Sequence, residues 1–318
     1  MADNMNFEFE GLDNNVSSIS NDVVAPKTDA PVITQEDSTA EEPQRTPTDP
    51  NTITVQITDS APIILLFGAP SSGKTMTLVR LARYLRKKKG YSVSVNKLFP
   101  TTEVWEYTEN SKKFNDMLNT TTALKGTDRN DFLMIKVTDS KGKLICQILE
   151  GAGEDYFPKN GQNRSTAAFP SYMDGVFTTI NKKVWIFITE PEWKVTQKDR
   201  NDYVERIEFC KKQYFNKNDK SIILYNKIDQ KLELLYGQGK VHISSAKVNC
   251  KNEYLGIFDI FLNPSPLRFL QDKYTCKFVP FSTGVFADAL KPEERHYTVS
   301  HDSYPAALWS AIEDCIKG

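Results

Sequence analysis

The chain has 318 residues, 39% hydrophobic and 25% charged, a composition that fits an ordinary globular protein of one large domain or two small ones. No apolar run approaches the roughly 20 residues of a membrane helix, and no basic segment leads into an apolar one at the N-terminus, so neither a membrane segment nor a secretory leader is expected. The net charge of -1 conceals an asymmetry: residues 1–50 hold eleven acids and two bases, which leaves 30 acids and 38 bases, a net of +8, in the remainder.

Residues 1–50 are rich in Asn, Asp, Ser, Thr and Pro. They carry too little apolar surface to offset the cost of ordering the chain, so a disordered acidic tail over 1–50 is expected, ahead of a single domain over 51–318. In that domain Thr52–Ile57 alternates like a strand, and Ile63–Phe67 reads as a buried one. A helix is expected from Lys74 to Lys89, with Leu78, Leu81, Ala82 and Leu85 on one face and Arg86–Lys89 complementing its C-terminus. Ser92–Leu98 reads as a strand and Glu109–Leu118 as a helix. Phe132–Val137 and Leu144–Leu149 read as a hairpin around a turn at Asp139–Gly142. Strands follow at Val184–Thr189, Ser221–Tyr225 and Lys277–Phe281, with helices at Gln197–Lys212 and Ala306–Ile316. Tyr254–Phe261 reads as core, with a partner-contact surface as the competing reading. The alternation predicts an α/β three-layer sandwich whose sheet is mostly parallel, with one antiparallel edge strand from the hairpin.

The five cysteines are far apart and never spaced as CxxC, which fits buried thiols in a reducing cytoplasm better than disulfide or zinc frameworks. The three histidines pair with no nucleophile or metal cluster. The basic run at Arg86–Lys89 lacks interleaved aromatics, so no nucleic acid is expected as a partner.

Gly68-Ala-Pro-Ser-Ser-Gly73-Lys74-Thr75 matches G-x-x-x-x-G-K-[ST], between an expected strand and an expected helix. Such a P-loop turns its backbone N–H groups toward phosphate oxygens, with Gly68, Ser71, Ser72 and Gly73 forming the cradle. Lys74 is the candidate contact to the terminal phosphates and Thr75 the candidate Mg²⁺ ligand. Asn226-Lys227-Ile228-Asp229 directly follows an expected strand. An aspartate there accepts two hydrogen bonds from guanine N1–H and N2–H₂, whereas adenine leaves it unpaired. Asn226 would join loops, and the Lys227 stem would lie on the base. The competing reading makes Asp229 a helix cap.

In order and content these motifs resemble a Ras-like P-loop GTPase of the translation-factor class, over about residues 60–285. The resemblance implies GTP/GDP and Mg²⁺ as ligands, Glu150-Gly-Ala-Gly153 in place of D-x-x-G, Ser282 and Thr283 at the base, and a switch threonine. Thr127 is preferred for the last, because Lys125-Gly126 gives a flexible approach; Thr120, Thr121 and Thr122 compete. The run Gly151–Phe157 is further similar to the A-G-E-[DN]-F run of bacterial double-GTPase proteins linked to conflict systems.

Two departures bear on chemistry. Glu150 replaces the aspartate that supports Mg²⁺, and Glu154 stands where such enzymes often place a water-orienting glutamine. Glu154 either accepts a water proton or is an exposed loop charge, and hydrolysis is expected to be slow. Arg164 is a candidate arginine finger, with a solvated loop charge as the competing reading. Lys74, Gly153 and Glu154 are therefore the catalytic candidates, and Thr75, Thr127 and Glu150 the metal candidates. The expected function is a nucleotide-dependent switch read by a protein effector or activator. A P-loop ATPase and a non-hydrolysing nucleotide-dependent scaffold are the alternatives.

Overall fold

The structure, a computed structural model, describes residues 46–88, 90–119, 132–159, 163–191, 193, 195–237, 239–263, 273–286 and 297–318. Seven strands form the main sheet: β1 (Ile63–Gly68), β2 (Tyr91–Val95), β3 (Leu133–Asp139), β4 (Leu144–Glu150), β5 (Lys183–Thr189), β6 (Lys220–Tyr225) and β7 (Cys276–Pro280). Their order is β7-β6-β5-β1-β4-β3-β2. β7, β6, β5, β1 and β4 pair parallel, and β3 runs against β4. β2 lies outside β3 and antiparallel to it, so the one reversed strand sits next to that edge. β1 and β5 are buried at every position, as continuous apolar strands inside a parallel sheet must be.

The helices are α1 (Lys74–Lys87), α2 (Trp105–Asn119), α3 (Gly153–Tyr156), α4 (Ser171–Phe177), α5 (Gln197–Tyr214), α6 (Ile243–Glu253) and α7 (Ser303–Lys317). α1 packs against α2 and α7. Phe67, Trp185 and Phe187 instead meet Phe177 of α4, Tyr203 of α5 and one another at ring separations of 4.8–6.3 Å. The two sets of helices cover the two faces of the sheet. Leu78, Leu81, Ala82 and Leu85 are buried as their spacing requires, and Tyr254, Ile257, Phe258 and Phe261 are core.

Thr52–Ile57 is not a strand. Its exposure alternates with Ile53 innermost, but among the described residues Thr54 bonds to Thr101 and Thr102 and the segment joins no ladder. The described chain begins before the expected boundary at 51: Thr48 bonds the Glu106 carboxylate through its N–H and its hydroxyl, at 2.7 and 2.8 Å. The rest of the expected acidic tail, residues 1–45, lies outside the described residues. Among the described residues no helix is long and apolar enough to cross a membrane. All five cysteines are free thiols; four are buried and Cys276 is half-buried.

Candidate functional site

Because five strands run parallel, their C-terminal ends share one edge of the sheet, where α/β folds place their ligands. At that edge stand the loop after β1, Glu150 at the end of β4 with Gly153 beyond it, Glu190 after β5, Asn226–Asp229 after β6, and Phe281–Gly284 after β7.

The loop after β1 holds two left-handed residues, Ser71 (φ 63°) and Gly73 (φ 85°). Gly73 stands immediately before α1 as its N-cap, and a β-carbon there would stand 2.6 Å from Asn226 Nδ2, so glycine is required both for conformation and for space. Lys74 is 4% exposed, and its Nζ donates to the Gly68 and Ala69 carbonyls, both at 3.2 Å. Burial pulls the Lys74 ammonium down to about 8, against the opposing charges of Glu150, Glu154, Asp155 and Glu190. Removing an ammonium from water disfavours its charge; an anion brought to Nζ favours it.

Thr75 Oγ1 donates to Glu150 Oε1 at 2.5 Å, so the two metal candidates meet beside the phosphate loop. A hydroxyl and a carboxylate are the hard oxygens that Mg²⁺ takes alongside phosphate and water, and this donor set fits it. The third candidate, Thr127, lies outside the described residues, as do Thr120, Thr121 and Thr122.

Gly153 opens α3 against the phosphate loop itself. A β-carbon there would stand 2.4 Å from Pro70 Cα and 2.9 Å from the Ala69 carbonyl carbon. Glu154 is no bare loop charge: Lys159 Nζ pairs with its Oε1 at 2.7 Å. Burial raises the Glu154 carboxyl, but Lys159 and the Lys74 charge outweigh it and hold the group below its ordinary value. Arg164 is neither solvated nor free. It pairs with Asp199 and with Asp202 of α5 and lies 4.4 Å over the Phe157 ring.

At the base motif, Asn226 is fully buried, and its Nδ2 donates to the Ser72 carbonyl at 2.9 Å. Lys227, left-handed at φ 54°, donates from Nζ to the Ser71 carbonyl at 2.9 Å. Asp229 stands in a short 3-10 turn, Ile228–Gln230, and does not cap an α-helix. Its Oδ1 is buried and has no hydrogen-bond partner among the described residues. Ile228 N–H donates to the Phe281 carbonyl, which brings the turn at Ser282 and Thr283, both buried, beside the motif.

Three buried charged side chains at or near this edge escaped the sequence reading. Glu190, 4% exposed, pairs with Lys227. Arg80, buried on α1, donates to the Ser300 carbonyl at 2.8 Å and pairs with Asp302 at 2.5 Å, while Ser300 Oγ donates to the Ser282 carbonyl at 2.6 Å. Arg206, buried on α5, donates to the carbonyls of Tyr156 and Ala167 and so holds the segment after Gly153 on that helix. None belongs to a local motif. The one available signal was a charge inside an apolar run, as in Phe187-Ile-Thr-Glu190.

No protein-family model matches this chain, and no curated protein matches it. Among solved structures it is similar to the S. cerevisiae Ski7 GTPase-like domain bound to GTP, at 15% identity and a TM-score of 0.40, covering 81% of this chain and 51% of that one. The same domain bound to GDP and inorganic phosphate gives 14% identity and 0.38, covering 70% and 43%. The chain thus spans about half the length of those it matches.

Proposed function

We propose that this chain binds guanine nucleotide with Mg²⁺ at the edge formed by residues 68–75, 150–153, 226–229 and 282–283, and acts as a slow GTPase switch. One observation carries the reading. Asn226 ties the base motif to the phosphate loop through the Ser72 carbonyl, while Asp229 on the same turn keeps a buried acceptor without a donor. Guanine N1–H and N2–H₂ supply those donors, whereas adenine presents an acceptor at N1 and no 2-amino group.

The remaining residues then have roles. Backbone N–H groups of the loop and the start of α1 cradle the phosphates, and the Lys74 ammonium pairs with them. Thr75 and Glu150 hold Mg²⁺, which neutralises phosphate charge. The Lys227 stem lies on one side of the base, and Ser282 and Thr283 close the other. The Gly153 N–H meets the terminal phosphate. Glu154, engaged by Lys159, is a poor acceptor for a water proton, which favours slow turnover and equally supports a non-hydrolysing scaffold. The terminal phosphate orders segments near Thr127 and Gly153, and a protein effector or activator reads that order. A narrower placement among double-GTPase proteins of conflict systems is supported by the Gly151–Phe157 run alone.

The decisive experiment is equilibrium binding of GDP, GTP and ATP with Mg²⁺ to the wild type and to Asp229→Ala. A guanine preference of about a hundredfold or more, lost in the variant, is expected from the unpaired acceptor. Equal or tighter ATP binding, indifferent to the substitution, would sink the reading.

A further inference from the structure

Glu190 is a carboxylate 4% exposed, placed at the ligand edge of the sheet, to which the reading above gives no role. Its backbone is clamped: the Glu190 N–H donates to the Tyr254 hydroxyl at 3.2 Å, and that hydroxyl donates to the Glu190 carbonyl at 3.0 Å. Tyr254, at the end of α6, is itself 1% exposed. The neighbouring Thr189 carbonyl accepts from the Asn226 N–H at 2.8 Å, so Glu190 and Lys227 leave adjacent strands side by side. Burial raises the Glu190 carboxyl, and the Lys227 charge opposes that rise. A charge removed from water is tolerated when it is paired, and here the pair is with Lys227.

The arrangement constrains Lys227 from three directions. Its backbone is left-handed, an uncommon conformation for lysine. Its ammonium is shared between the Glu190 carboxylate and the Ser71 carbonyl. Its stem runs alongside the start of α1, with Cε 3.9 Å from where a Gly73 β-carbon would lie. Lysine carries much side-chain rotamer entropy, and holding the stem before a ligand arrives removes that cost from binding.

We infer that Glu190 is a positioning residue for nucleotide binding, which acts by holding Lys227 across the gap between the base motif and the phosphate loop. The inference rests on the guanine-nucleotide reading above. Its reach is the base side of the site: Glu190 contributes to affinity through Lys227 and through no contact of its own with the ligand.

The test is a double-mutant cycle on the full chain with GDP and Mg²⁺, using wild type, Glu190→Gln, Lys227→Met and the double variant. Thermal unfolding of each variant is recorded alongside. Glu190→Gln is expected to weaken GDP roughly tenfold in the wild-type background and by less than about twofold in the Lys227→Met background. Glu190→Asp, which keeps the charge, is expected to recover most of the affinity and carries the comparison if Glu190→Gln does not fold. Equal losses in both backgrounds, or no loss in the wild type, would overturn the inference while leaving the nucleotide reading intact. If the wild type itself binds no GDP, both fall.

Discussion

Gly153 has no room for a side chain, and the obstruction is backbone, which cannot swing aside. A methyl group there would stand 2.4 Å from Pro70 Cα. Gly153→Ala must therefore push the segment after β4 away from the phosphate loop. We expect a loss of about 1–3 kcal/mol of stability, the usual cost of overpacking, and at least a tenfold loss of nucleotide affinity. Urea unfolding and GDP titration read the two effects, and a variant matching the wild type in both would remove Gly153 from the site. The contact also shows what a sequence can reveal at this scale. Gly68–Thr75 and Asn226–Asp229 are legible as candidates because a loop that takes phosphate and a turn that takes guanine would each impose residue types at fixed spacing along one stretch of chain. Glu190, Arg80 and Arg206 are not. Each owes its role to a partner tens to hundreds of residues away, and nothing adjacent in the chain marks it.

Helix α5 is fastened at its start by a reciprocal cap. The Asp199 N–H donates to Thr196 Oγ1, and Asp199 Oδ2 accepts from the Thr196 N–H at 2.8 Å and hydroxyl at 2.6 Å. Arg164 pairs with the other carboxylate oxygen. The Thr196 hydroxyl, and after it Arg164, outweigh burial and bring the Asp199 carboxyl down to about 2. A depressed carboxyl stabilises the fold above its unfolded value of 3.8, and the contribution fades as pH falls toward about 2. Asp199→Asn is expected to cost about 1 kcal/mol at pH 7, with the gap from wild type closing between about pH 4 and about pH 2. Urea unfolding across that range checks it; a gap independent of pH would assign the loss to packing. Elements were legible where one physical preference dominated. α1 and α5 have long apolar faces. α6 is Ile-Ser-Ser-Ala-Lys-Val-Asn-Cys-Lys-Asn-Glu, short and rich in residues that compete with the helix backbone, and α4 carries Gly175; neither was anticipated. Thr52–Ile57 has the alternation of a strand but no neighbour to pair with, and periodicity cannot report a missing neighbour.

At the scale of the molecule, the proposed ligand site joins the N-terminal and C-terminal parts of the folded region. Residues 68–75 and α1 supply one side, while residues 226–229, 282–284 and the Arg80 brace to Ser300 and Asp302 supply the other. A ligand bound there is held by all of them and by none in the unfolded chain. GDP at about a hundred times its dissociation constant is expected to stabilise the protein by about 2.7 kcal/mol, raising Tm by roughly 5–10 °C. Asp229→Ala should lose the shift at the same GDP concentration, as a thermal scan reads directly; an equal shift in the variant would place GDP elsewhere. The sheet order and the two helical layers follow the alternation of buried strands and helices. The segments after the base motif, residues 230–263, did not announce α6 or the short antiparallel pairing of Leu235–Gly237 with Lys240–Val241, because their burial depends on packing against strands already placed.

The brace from Arg80 to Ser300 has a further consequence, in time. A ribosome releases the phosphate loop about 200 residues before the Ser282 turn, an interval of roughly 10–40 s at ordinary rates of synthesis. For most of it, the residues proposed to hold phosphate exist without Asn226–Asp229, the residues proposed to read the base. The brace itself closes only when the last strand and the start of α7 have emerged and Ser300 meets α1.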